Sequence, residues 1–544
     1  MGRYPILKLV FPLALGIWVG DVCPSAVYLY LFFAALVLKS CLTPKRMTTL
    51  PHLLSEVWVV ATCFLLGGAT CYLHRAGPLP EQERGYFRWK VITPPQEKAR
   101  SFAVEAELLG SYSPQDSIGS FQPLGGRYLL YLAKETRAAR LQIGDELVGE
   151  SRLRSFMGDT LEEKSDSALK REHYATTRAP FNYAEWARRH GYSGSCYMDS
   201  ARWMPCSQPM EKENIRMKMS RLRMRILHYV EQSGWDAREY AVFSALTLGY
   251  KQGLTEEIRD SYSSTGASHL LALSGLHIGM LYTLMLIPLT FIRRRFPSIY
   301  LSTRLIAIIM MWMFALLTGL AASTCRSVCM FTLLTFSSPS SYDRRNMGVH
   351  NLLTAVFFLL IFRPYWLFDV GFQLSVVGVG SIILFNPVAE RMLTLPKGVQ
   401  LLQPLVSLAA VSVTAQIGTL PLMAHYFGTF SPYFLPASYV GIPLLTLILY
   451  GSILWVLLLW LSPAAAMIGR ALGQLTQWLN DFLYWLSTFP HSSLTIPKPD
   501  GIECLLLYLC LGAFLRLLTL RSYRSLHLLE LLILITLIYH YFIA

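Results

Sequence analysis

The chain has 544 residues, 53% of them hydrophobic and only 15% charged, with a formal net charge of +14. That charge content is too low for a soluble enzyme of this length, and apolar stretches near the ~20 residues a bilayer-spanning helix needs recur along it. Basic residues concentrate in short loops between apolar runs: Lys45 with Arg46, Arg293 to Arg295, Arg344 with Arg345, Arg391 with Lys397, and Arg521 with Arg524. The positive-inside rule puts those loops on the cytoplasmic side, together with the N-terminus and its Arg3 and Lys8.

Three spans open the chain, near residues 6–20, 26–41 and 56–74, the first reading as a retained helix rather than a cleaved signal. Starting inside, they leave the chain outside at Arg75. Residues 76–210 are polar, broken by Pro and Gly, and long enough for a domain. Alternation over 101–109 and further runs at 126–134 and 141–153 predict short strands with glycine turns. Asn182 is placed to cap a short helix after Phe181, and 191–198 reads as a return strand. An OB-like barrel fits this pattern, and so does an unrelated small β-domain. On the oxidising side of a bacterial membrane, Cys196 and Cys206 are expected to form a disulfide closing a short loop around Trp203, worth ~2–3 kcal/mol. The other cysteines lie mostly in apolar runs and behave as small hydrophobes.

Residues 211–235 form a basic segment. Lys212, Arg216, Lys218, Arg221, Arg223 and Arg225 stand against Glu213, while Ile215, Met219, Leu222, Ile226 and Tyr229 recur at helical spacing. This amphipathic helix suits anionic lipid at the membrane surface, or a polyanion at a channel mouth, and the two readings are compatible. Residues 236–544 return to membrane character, with spans near 268–292, 302–321, 323–337, 348–362, 370–386, 404–424, 434–460, 464–487, 503–519 and 526–543. The expected architecture is therefore a mainly α polytopic membrane protein of about 10–13 transmembrane helices, residues 1–75 supplying the first ones, with an inserted extracytoplasmic β-barrel (OB-like) domain.

Several chemistries are missing. No Gly-Lys dipeptide exists, so there is no phosphate-binding loop for ATP; no histidine is followed by glutamate; no two histidines stand two apart. Zinc hydrolysis, nuclease and ATPase functions are not expected of these residues, nor is a cofactor or metal. The polar residues within the apolar runs are few and grouped: His269, Ser274, Gly275 and His277 open one span, Arg326 follows Ser323 and Thr324 in another, Asp369, Gln373 and Ser375 begin a third, and Gln416 with Thr419 lies in a fourth. Ionisable groups in hydrocarbon are costly and mark functional sites. Singly each could be a satisfied interhelical hydrogen bond or a helix anchor; together they describe a polar path, lining a pore or packing its helices.

The stretch His269-Leu-Leu-Ala-Leu-Ser-Gly-Leu-His277 resembles the ComEC competence protein family. So do Leu246 to Gly249, Arg326-Ser-Val-Cys-Met330, Arg363-Pro364 with Asp369-Val-Gly-Phe-Gln-Leu-Ser375, and Gln416 through Pro421 with Pro443. The resemblance implies a channel in the cytoplasmic (inner) membrane that takes up single-stranded DNA during natural transformation, its OB-like domain on the outer side. It also implies a periplasmic DNA receptor and a cytoplasmic helicase-like ATPase as partners. Many family members end in a metallo-β-lactamase-like domain. The histidine spacing here implies a version without it, with a separate nuclease where one strand is degraded. Stacking aromatics expected on the outer domain are Tyr128 and Trp203, with Tyr112, Phe121 and Tyr131 as further candidates. A small-molecule or lipid transporter with a structural outer domain, or a membrane-anchored binding module, are the competing readings.

Overall fold

The computed structural model describes residues 6–42, 52–75, 77, 80, 84–98, 100–112, 121–156, 182–206, 214–295, 300–336 and 344–542. Helices α1 (Leu7–Val22), α2 (Val27–Leu42) and α3 (His52–Leu73) form where the three opening spans are expected. α1 and α3 pack with their backbones touching, which glycines make possible: a Cβ on Gly16 would stand 2.0 Å from the Phe64 carbonyl oxygen, and one on Gly67 would stand 2.3 Å from that of Leu13. Small residues at such crossings let dispersion, rather than hydrophobic burial, hold helices together in lipid.

The polar segment folds into one mixed sheet. Its strands are β1 (Arg84–Val91), β2 (Gln96–Glu97), β3 (Ser101–Tyr112), β4 (Phe121–Pro123), β5 (Arg127–Ala133), β6 (Glu146–Arg152), β7 (Tyr192–Met198) and β8 (Trp203–Pro205). The order is β7-β5-β3-β1-β6-β8, with β2 and β4 also on β3; only β5 and β7 pair in parallel. The expected strands are present, and β1, not anticipated, lies at the centre with Phe87, Trp89 and Val91 buried. They pack with Tyr128, Leu130, Leu132 and Leu147 into a core in which Trp89 meets Tyr128 edge-on at 5.3 Å. The sheet is not a closed barrel: among the described residues the backbone hydrogen bonds that join its curled ends are those of the isolated bridge Arg154 to Ser195. α4 (Tyr183–Arg189) is capped as expected, Asn182 accepting from the Glu185 amide at 3.1 Å. Phe181 lies outside the described residues.

The expected disulfide is absent. Cys196 and Cys206 are separate thiols. Cys196 points into the sheet core from β7, where burial pushes its thiol up to about 12, whereas Cys206 follows edge strand β8 and its amide donates to Glu146. The two are close in sequence, but β7 and β8 run on different parts of the sheet.

The basic helix is α5 (Ile215–Glu231), followed by α6 (Ala237–Leu248), α7 (Glu256–Ser264), α8 (Ser268–Leu271), α9 (Gly275–Arg295), α10 (Tyr300–Leu317), α11 (Ala322–Phe336), α12 (Arg344–Phe362), α13 (Val370–Met392) and α14 (Gln403–Phe427). A short ladder of β9 (Thr429–Phe430) with β10 (Leu494–Thr495) brackets α15 (Phe434–Leu457) and α16 (Ser462–Ser487), and α17 (Gly501–Leu520) with α18 (Tyr523–Phe542) completes the membrane part. Among the described residues six helical segments are long and apolar enough to cross a bilayer: 56–73, 370–392, 398–427, 434–457, 501–520 and 523–542. Four shorter apolar helices accompany them, within α2, α9, α10 and α12. The expected spans at 6–20, 323–337 and 464–487 belong to neither group. α16 is amphipathic, burying Ala465, Leu472, Leu479 and Leu486 at seven-residue spacing against the bundle while Trp478, Tyr484 and Trp485 face outward.

The sheet domain is bolted to the helices. Arg188 and Arg189 of α4 hold the buried Asp21 of α1 at 2.6 and 2.7 Å, and Arg189 lies 4.0 Å over the Phe368 ring. Gln252 donates to the Pro95 carbonyl at 2.7 Å. Gly67→Val is expected to force α1 off α3. Thermal unfolding of the purified protein, followed by size-exclusion chromatography in detergent, should show loss of most monodisperse material, while Gly77→Val, with open space around it, should behave as wild type.

Candidate functional site

The segment singled out by sequence is a helix interrupted. α8 stops at Leu271, Ala272 is extended, and α9 begins at Gly275. A break of this kind frees backbone carbonyls, which lipid cannot satisfy. Ser323 of α11 resolves the problem by donating its hydroxyl to the Leu273 carbonyl at 2.5 Å, and Ser327 sits one turn on, 3.3 Å from where a Gly275 Cβ would be. His277 is fully buried and turns back onto the break: its Nδ1 accepts from the Ser274 amide at 3.3 Å and lies 3.2 Å from the Ser274 hydroxyl. That geometry leaves the other ring nitrogen, Nε2, as the N–H of a neutral imidazole, and it is buried without a partner. His269 stands apart from this group, exposed, with Nδ1 on the Gly266 carbonyl at 3.0 Å.

Three residues after Ser323, α11 presents Arg326, 3% exposed. One Nη donates to the Gly371 carbonyl at 2.8 Å, the other lies 3.9 Å from the Asp369 carboxylate, and the guanidinium sits 5.3 Å over the Phe372 ring. Nε and Nη1 make no hydrogen bond, and neither does the buried hydroxyl of Thr324. Asp369 is also the cap of α13, accepting from the Phe372 amide at 2.6 Å. Gln373 donates to the Leu367 carbonyl at 2.9 Å and accepts from the Tyr426 hydroxyl of α14 at 2.7 Å. Arg326, Asp369 and Gln373 therefore form one cluster, joined through α11 to the break at His277. Tyr426 and the Gly371 carbonyl were not anticipated, since only the tertiary fold brings them in. Gln416 is half-buried further along α14, where Thr419 donates to its carbonyl at 3.4 Å, and no hydrogen bond among the described residues places it in the cluster.

The arrangement is one of donors exceeding acceptors: a neutral imidazole N–H, two guanidinium nitrogens and a hydroxyl, all out of water. Such groups are expensive unless something completes them. They suit an acceptor-rich species passing or lodging there.

The nucleic-acid residues expected from sequence are redistributed. Tyr128 and Trp203 are core residues of the sheet, 0% and 2% exposed, so neither can stack on a base. Both face inward, Tyr128 by the strand alternation that also buries Leu130 and Leu132. The opposite face carries Tyr131, whose strand partner Tyr197 is exposed, with Tyr183 beside it, the Tyr131 and Tyr183 hydroxyls 3.5 Å apart. On α5, Lys218, Arg221 and Arg225 are exposed, Arg216 is half-buried and Arg223 is buried; Lys212 lies outside the described residues. The helix is rotated relative to the expected stripe: Ile226 is buried as expected, but it is joined by Met217, Ser220, Arg223, Leu227 and Val230, while Ile215, Leu222 and Tyr229 face out.

Substitutions should separate charge from capping at Asp369. Asp369→Asn keeps the cap and is expected to cost little stability, whereas Asp369→Ala loses about 1 kcal/mol from the cap alone. Both should impair function, because Arg326 then lacks its carboxylate. Differential scanning fluorimetry of the purified protein beside complementation of a deletion strain checks the split.

No solved structure matches the chain. ComE operon protein 3 of Bacillus subtilis (strain 168) is 28% identical over 355 residues, covering 65% of this chain and 42% of that protein, so the chain spans less than half of its relative's length. The family model described as Competence protein matches residues 246–521, which takes in α7 through α17, with the helix break, Arg326, Asp369 and Gln373. This multi-pass membrane protein belongs to the competence protein family.

Proposed function

We propose that the chain forms a channel in the bacterial cytoplasmic membrane through which single-stranded DNA enters the cell during natural transformation. The observation that carries the reading is the buried donor-rich cluster of His277, Thr324 and Arg326 inside the matched family region. A passing strand offers phosphate and base acceptors to such groups without requiring any of them to react. The sheet domain, read as an OB-like module, receives the strand on the outer side, its Tyr131, Tyr183 and Tyr197 supplying rings for bases. The positive-inside distribution of the loop arginines supports that orientation.

On this reading the chain does no covalent chemistry. Energy comes from a cytoplasmic helicase-like ATPase, delivery from a periplasmic DNA receptor, and any degradation of the second strand from a separate nuclease. Deleting the gene should lower transformation by several orders of magnitude while leaving growth and the binding of duplex DNA at the cell surface intact. Expression of the wild-type chain in trans should restore it, and expression of Arg326→Ala should not. Transformation at wild-type frequency in the deletion strain would leave a small-molecule or lipid transporter as the better reading.

A further inference from the structure

A cavity of about 340 Å³ lies between the sheet domain and the membrane helices. Its walls come from the segment at 92–98, Ile143, α5, the turn at 249–252, Arg259 of α7, and the end of α10 with Gly319. Five cationic side chains line it, Lys98, Arg216, Arg223, Lys251 and Arg259, against the single carboxylate of Glu97. Glu97 is engaged by Lys134 at 2.8 Å. Glu105, whose charge reaches Arg216, is held by Arg127 at 3.3 Å. Among the described residues none of the five cations has an ion-pair partner.

Arg223 is the telling member. It occupies the buried face of α5, 6% exposed, and its Nε is buried without a hydrogen bond. Room for it is made by Gly319, at φ +89, where a Cβ would stand 2.9 Å from an Arg223 Nη. A glycine in the left-handed region opposite an unpaired guanidinium is a built feature of the cavity. Gathering like charges in a partly dry pocket is unfavourable until an anion enters, at which point the same low dielectric strengthens the attraction. Guanidinium forks match phosphate oxygens in two-point geometry, and the flexible lysines add point charge. Tyr250 lines the same cavity beside the cations, its hydroxyl on Gln252, and gives a ring against which a base can lie.

We propose that this cavity is a phosphodiester site, where a nucleic-acid strand is held between the sheet domain and the membrane helices. The inference rests on the transport reading above and deepens it by naming where the backbone is held. A nucleic-acid strand is favoured over a lipid headgroup because the apolar stripe of α5, with Ile215, Leu222 and Tyr229, is on its outward face and is not part of the lining.

The test uses the full chain in nanodiscs of uncharged lipid with a short fluorescent oligothymidylate as probe, read by anisotropy over a salt series. Lys251 and Arg259 are exposed, so Lys251→Ala with Arg259→Ala should leave the fold intact. The double variant is expected to bind about tenfold or more weakly, with a salt slope shallower by about 0.7 for each phosphate no longer neutralised. Lys251→Arg with Arg259→Lys should bind as wild type. If the wild-type chain binds no oligonucleotide, the transport reading fails and this inference with it. If wild type binds and the double variant keeps the same affinity and slope, the inference alone is overturned. It is likewise overturned if, in a parallel series with phosphatidylglycerol added to the nanodiscs, the substitutions alter only the binding of that lipid, which assigns the cavity to a lipid phosphate.

Discussion

A broken helix inside an apolar bundle is the constraint from which the rest of the membrane part follows. Ending α8 at Leu271 and restarting at Gly275 frees backbone groups that hydrocarbon cannot satisfy, so a neighbouring helix must bring hydroxyls to that point. Ser323 does so from α11. Docking α11 there carries Arg326 along, one turn further, into a position that only a backbone carbonyl and a carboxylate can make tolerable. Those come from Gly371 and Asp369 at the start of α13, whose cap is the same aspartate. Gln373, one turn into α13, then ties α14 in through Tyr426. Four helices are thus registered by a chain of polar obligations starting at one interruption. The cost of the break is a set of buried donors left over, which is where a ligand with acceptors gains most.

The second organising element is the joint between the sheet domain and the bundle. Asp21, Arg188 and Arg189 fix one side of it, and Gln252 with Pro95 fixes another. α5 lies between, with Met217 packed on the turn at Gly144 and Arg223 against Gly319. A purely interfacial helix would bury its apolar stripe and expose its charge. This one does part of the opposite, turning two arginines toward the joint, where burial pushes Arg216 and Arg223 below the ordinary guanidinium value. The basic segment is therefore a structural wedge as well as a charged surface.

Much of this is legible in the sequence where the signal is local. Period-two alternation marks β3, β5, β6 and β7, Asn182 announces its helix, and the grouping of His277, Arg326, Asp369 and Gln373 among apolar neighbours marks the site. The misreadings have physical causes. In β1 the apolar residues Phe87, Trp89 and Val91 alternate with Arg88 and Lys90, and the cations give a central strand the composition of a charged loop. Two phases of α5 satisfy helical spacing, one through Leu222 and one through Met217 and Leu227, and only packing decides between them. α16 reads as a span by apolar content, but its buried residues repeat every seven positions and leave polar ones between. The pairing of Cys196 with Cys206 and the stacking roles of Tyr128 and Trp203 depend on which way a strand faces, and Tyr128 shares the inward parity of Leu130 and Leu132. The Gly371 carbonyl and Tyr426 meet their partners across the fold and leave no local trace.

Whether DNA passes the helix break is tested most directly by photocrosslinking in cells during uptake. Leu276 is half-buried beside the break, and Leu509 of α17 is exposed on the outside of the bundle. With a benzophenone amino acid at each position in turn, labelled incoming DNA should become covalently attached at Leu276 and not at Leu509. A strain that still transforms, yet yields no DNA adduct at Leu276 while giving one at Leu509, would contradict passage through this site.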